Sequence, residues 1–169
     1  MTTGYLYVPN EDDNTISVVD TSNDSIVATI PVGGDTVAVS PNGALVYAAN
    51  EGGVVYAIDT ATNTVTSTIQ VGSGADFVAF SPDGSRAYVT HYGGNSVAVI
   101  DTTSNTVIAN VAVGSGSYAV AVSPDGSKAY VTNEYSGTVS VIDTSSNSVI
   151  DTITNNAVNR PGFAGGRLV

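Results

Sequence analysis

Ser123-Pro-Asp-Gly-Ser-Lys-Ala-Tyr-Val-Thr-Asn133, followed after four residues by Thr138-Val-Ser-Val-Ile-Asp-Thr144, is the stretch that decides the fold. Proline second and glycine fourth suit a type I turn, and the β-branched and aromatic residues on either side suit short strands. The same signals recur upstream. Tyr7, Tyr47, Tyr88 and Tyr130 stand 40, 41 and 42 residues apart. Asp20, Asp59, Asp101 and Asp143 each precede threonine and close an apolar run, written SVVD, YAID, AVID and SVID. The turn itself returns as Ser40-Pro-Asn-Gly43 and Ser81-Pro-Asp-Gly84. Three columns in step define an internal repeat of roughly 42 residues, which has to be read before any local structure.

Each unit offers four strands. The first is expected at 36 to 40, 77 to 81 and 119 to 123. The second carries the tyrosine, at 5 to 9, 45 to 49, 87 to 91 and 129 to 133. The third, ending at the aspartate, falls at 15 to 19, 54 to 58, 96 to 100 and 138 to 142, and the fourth at 26 to 30, 65 to 69, 107 to 111 and 149 to 153. No window long enough for a helix keeps a three-to-four-residue apolar spacing free of glycine or proline. Four-stranded meanders repeated at this length predict an all-β fold, a β-propeller of four units. The chain reads as one domain over 1–169, with repeat material at about 1–35, 36–76, 77–118 and 119–155. If residues 156–169 supply the missing inner strand of the first unit, they act as a closing strand. Two rings satisfy the pattern: four blades closed within one chain, or half of an eight-blade ring assembled from two. A fragment of a longer ring is the third reading.

The segments Tyr130-Val-Thr-Asn133, Val139-Ser-Val-Ile-Asp-Thr144 and Ser123-Pro-Asp-Gly126 together resemble the YVTN-type β-propeller repeat, over about residues 5 to 155. The resemblance implies a module of surface or exported proteins, surface-layer-like proteins among them. It implies extracellular or cell-surface placement of the parent protein and, by itself, no activity.

Composition bounds the partners. Fifteen acids against four bases give a net charge of −11, which disfavours nucleic acid and anionic membranes. There is no cysteine for a disulfide or a thiolate, and no apolar run long enough for membrane insertion. Residues 1–85 hold ten acids and no base, whereas 86–169 hold five acids and all four bases. An acidic leading edge meeting Arg160 and Arg167 at the trailing edge would orient self-association, including a homodimer that completes a ring.

In a meander the connections alternate between two ends. One end collects Asn50, Glu51, His91, Tyr92, Asn133, Glu134 and Tyr135, in loops that vary from unit to unit. His91 replaces the asparagine of Asn10, Asn50 and Asn133, and Tyr92 beside it offers a stacking surface for a carbohydrate or small molecule. A plain turn hydrogen bond is the simpler account of that histidine. The other end holds the uniform turns, where Asp20, Asp59, Asp101 and Asp143, with Pro41, Pro82, Pro124, Gly43, Gly84 and Gly126, are expected to do structural duty. No catalytic constellation, metal site or cofactor signature is recognisable. The leading expectation is therefore a noncatalytic scaffold for protein, self-assembly or cell-surface contacts, not an enzyme. A ligand-binding propeller around His91 and Tyr92 is second, and a propeller lyase or hydrolase third.

Overall fold

The structure, a computed structural model, describes residues 4–154, which form fifteen strands in four antiparallel sheets with no helix among them. The first sheet is β1 (Tyr5–Asn10), β2 (Thr15–Asp20) and β3 (Ser25–Ile30). The second is β4 (Thr36–Val39), β5 (Leu45–Asn50), β6 (Val54–Asp59) and β7 (Thr64–Gln70). The third is β8 (Ala75–Phe80), β9 (Arg86–His91), β10 (Ser96–Asp101) and β11 (Thr106–Ala112). The fourth is β12 (Ser117–Val122), β13 (Lys128–Asn133), β14 (Thr138–Asp143) and β15 (Ser148–Thr154). Strand order follows chain order in every sheet, so each repeat is a meander. Most strands run slightly past their expected bounds because the ladder persists into the turn, as in the pairs Asp59 with Thr64 and Asn50 with Val54.

The sheets stack face to face in chain order, in a propeller-like manner, through three apolar layers. Tyr7, Ile16, Val18 and Ile30 of the first sheet meet Val46, Ala48 and Ile58 of the second. Tyr47, Ala49, Val55 and Ile69 of the second meet Val78, Ala87, Val89 and Ile100 of the third. Tyr88, Val97, Val99 and Val111 of the third meet Val120, Ala129, Val131 and Ile142 of the fourth. Period-two alternation sends Tyr47 to one face and Val46 and Ala48 to the other. Because both faces are covered, this strand reads as an unbroken apolar run, Leu45-Val-Tyr-Ala-Ala49.

Three layers join four sheets as an arc. A closed four-blade ring would need a fourth layer between the last sheet and the first, and none forms among the described residues. The proposed closing strand at 156–169, with Arg160 and Arg167, lies outside the described residues.

The turn between the third and fourth strands of each unit locks the stacking. Asn63, Asn105 and Asn147 are left-handed, with φ of 53°, 53° and 50°, and Asp24 takes the same place with φ 56°. Asparagine tolerates this region better than other side chains. Its amide also works across the layer: the Tyr7 hydroxyl donates to Asn63 Oδ1 at 2.8 Å and the Tyr47 hydroxyl to Asn105 Oδ1 at 2.5 Å. Asn105→Gly and Asn105→Ala both remove that acceptor, but only alanine strains the backbone. Urea denaturation should find Asn105→Ala less stable than Asn105→Gly by about 1 kcal/mol, and equal stabilities would show that the left-handed turn carries no cost.

Candidate functional site

The two ends of the stack differ in chemistry. At the uniform end each strand-terminal aspartate accepts from its own turn. Asp59 Oδ1 takes the N–H groups of Ala61 and Thr62 at 3.0 and 2.9 Å, and Asp101 Oδ1 those of Thr103 and Ser104 at 3.1 and 2.8 Å. Asp20 takes Ser22 N–H at 2.8 Å, and Asp143 takes Ser146 N–H at 2.8 Å and the Ser145 hydroxyl at 2.6 Å. The proline turns behave alike. Behind Pro82 and Pro124, Asp83 and Asp125 accept serine hydroxyls at 2.6 Å and backbone N–H at 3.0 Å, and Asn42 does the same behind Pro41. Gly43, Gly84 and Gly126 finish these turns at φ 72°, 73° and 73°.

Serine hydroxyls first, and then backbone N–H groups, hold the carboxyls of Asp83, Asp125 and Asp143 at about 2. A depressed native value stabilises the fold above the ordinary carboxylate range, and that contribution disappears as pH falls through about 2. The urea midpoint should therefore drop between about pH 4 and pH 2. In Asp83→Asn/Asp125→Asn/Asp143→Asn this acid limb should flatten, and an unchanged slope would mean these turns contribute nothing to it.

Between the third and fourth sheets, this end opens a cleft of about 520 Å³ lined by Asp83, Arg86, Tyr88, Asp125 and Thr144. Arg86 Nη1 donates to the Thr144 carbonyl and, at 3.3 Å, to Asn147 Oδ1. It takes the asparagine that the tyrosine column uses in the two preceding layers, and the buried Tyr88 hydroxyl finds no hydrogen-bond acceptor among the described residues.

At the variable end, His91 is buried and committed inward. Its Nε2 lies 2.8 Å from the Val71 carbonyl, and its Nδ1 lies 3.0 Å from Ser96 Oγ. Nδ1 also lies 3.2 Å from the Ser96 carbonyl, so both ring nitrogens are engaged inside the fold. Asn133 is buried too, its amide donating to Thr138 Oγ1 at 3.0 Å and Ser140 Oγ at 2.9 Å. Asn50 Oδ1 accepts the Gly52 N–H at 2.8 Å. These column residues fasten the β5–β6, β9–β10 and β13–β14 turns, and His91 and Asn133 face away from solvent. Glu51 donates its backbone N–H to Asp35 Oδ2 at 2.7 Å. Burial first, and then the charges of Glu51 and Asp35, push the Asp76 carboxyl up.

What reaches solvent is aromatic. Tyr92 packs edge-on to Tyr118 with ring centroids 5.7 Å apart, and tilted to Tyr135 at 6.2 Å. The three rings are 39%, 39% and 61% exposed. Hydrogen bonding with the Tyr135 phenol, followed by the Glu134 charge, pushes the Tyr92 hydroxyl up to about 12. Structure thus brings Tyr92, Glu134 and Tyr135 together and leaves Asn50 and Glu51 one layer away. Tyr118 was not among the expected residues, although the sequence marks it: it stands where Asp35 and Asp76 stand in the preceding units. Among the described residues, no three His, Asp or Glu side chains are grouped to hold a metal.

No protein-family model matches the chain, and no curated protein does. Among solved structures, Kuenenia stuttgartiensis hydrazine synthase matches with a TM-score of 0.85 and 26% identity, over 89% of this chain and 46% of that one. The likeness is to part of an enzyme. This chain spans less than half the length of the one it matches.

That finding corrects three expectations. The noncatalytic scaffold does not stand, because the fold match is to a catalyst; the assignment of no enzymatic role falls with it. The extracellular or cell-surface placement is withdrawn as well, since the matched protein is named for a reaction and not for a surface layer. The physical source of these errors is that the repeat columns report how sheets pack and turn, whereas activity depends on what the loops and neighbouring chains add. Protein–protein association in general remains in keeping with the match.

Proposed function

We propose that this chain is one part of an enzyme, in which it contributes propeller blades of the YVTN type and binds a small organic or nitrogenous cation at its tyrosine-bearing end. The observation that carries the reading is the convergence of Tyr92, Tyr118 and Tyr135 around the Glu134 side of the turns, on a fold whose solved counterpart is catalytic. Tyrosine faces attract cations through the ring quadrupole, and a nearby carboxylate adds Coulomb attraction. The net charge of −11 raises the local concentration of such ligands. Protonated hydrazine, the base in the matched enzyme's name, belongs to this class. In this reading the enzyme's chemistry combines the tyrosine end with groups from the rest of the assembly.

The chain has no tryptophan, so its tyrosines report their own environment in fluorescence. Titration with tetramethylammonium chloride and with hydrazinium chloride should give a saturable change that neopentyl alcohol, a water-soluble neutral analogue of tetramethylammonium, does not. Tyr135→Ala or Tyr92→Ala should weaken it about tenfold, the scale of one lost cation–π contact. No saturable change with either cation, or equal response to the neutral probe, rejects the site.

A further inference from the structure

We infer that a second copy of this chain covers the open face of the first sheet with the open face of its fourth, so that two chains meet through two identical contacts. The inference is independent of the tyrosine end and rests on comparing equivalent positions in the four sheets.

On the face that each later sheet turns toward its predecessor, Val46, Ala87 and Ala129 are fully buried, as are Ile58, Ile100 and Ile142. The first sheet has Leu6 and Val19 at these places. Leu6 is 54% exposed, and Ile26, matching the packed Val107 and Val149, is 64% exposed. The three strands of the first sheet therefore present the apolar positions of this interface without a partner, although the sheet lacks the counterpart of β8 and β12 that adds Val78 and Val120 in the later layers. At the other end of the arc, the fourth sheet turns outward the face that carries Tyr130 and Ile153, the latter 46% exposed.

The polar lock identifies the occupant. In the internal layers a tyrosine reaches the left-handed residue on the next sheet, Tyr7 to Asn63 and Tyr47 to Asn105. Tyr130 has no such acceptor among the described residues. In the third layer Arg86 takes the place of the tyrosine at Asn147, which leaves Asp24, exposed on the first sheet, as the left-handed residue of this turn that neither a tyrosine nor a base reaches among the described residues. A second pair repeats the logic. Arg86 crosses to Thr144 and Asn147, and Lys128 holds the same place on the fourth sheet, exposed and without an ion pair among the described residues. The sites facing it across a repeated layer are Thr21 and Asp24. Of the four left-handed turn residues only this one is a carboxylate, so base and acid are matched across the missing layer. Two copies related by a twofold axis satisfy both faces and leave neither exposed.

Sedimentation and light scattering should give twice 17.0 kDa, weakening in high salt. Asp24→Lys and Lys128→Asp should each raise the dimer dissociation constant at least tenfold, with circular dichroism unchanged. Mixing the two variants should restore the dimer, because each contact in the mixed pair again joins a base to an acid. A wild-type chain that stays monomeric at all concentrations overturns the inference, as does a mixture that is no tighter than its components. Closure within one chain gives that monomeric result.

Discussion

Sheet-on-sheet packing through a repeated tyrosine contact is the constraint on which the remaining structure depends. Every sheet is too small to bury its own faces, so each relies on the next one along the chain. The tyrosine of the second strand spans the layer, and its hydroxyl has to find an acceptor at the far side, because an unpaired phenol in a dry layer is costly. Asn63 and Asn105 meet that need from turns whose backbone already requires an asparagine-like residue. One residue thus serves both the hairpin and the interface.

The third layer shows how a local exception alters chemistry. Arg86 replaces the apolar Leu45 at the start of the tyrosine strand and reaches over to Asn147, leaving the Tyr88 hydroxyl without an acceptor among the described residues, beside a polar cleft. The stacking survives because the apolar contacts of Val97, Val99, Val131 and Ile142 are unchanged in kind.

Much of the architecture was legible in the amino-acid sequence. The spacing of Tyr7, Tyr47, Tyr88 and Tyr130 identified the repeat, and the proline turns and strand-terminal aspartates divided it into strands. Closure was not legible, since it depends on the angle between sheets and on faces that no local pattern reports. The variable end was legible only in part. His91 drew attention because it broke a column, yet both its nitrogens are spent inside the fold. Tyr118 broke a column equally, and its meaning appears only when folding sets it against Tyr92 from another unit. Column breaks mark candidates, but long-range juxtaposition decides which of them face solvent. The enzymatic likeness lay beyond the repeat signal altogether, because that signal is written in packing residues.

Each sheet carries the same irregularity, a register shift between its last two strands, at Val18/Val19, Ala57/Ile58, Val99/Ile100 and Val141/Ile142. Such bulges bend and twist a strand by a set amount. Repeated four times, they make curvature a heritable property of the unit: gene duplication that copies the unit copies its bend. Lengthening by whole units would then travel along a predetermined circle, whereas loss of a single bulge would open the path toward a fibre.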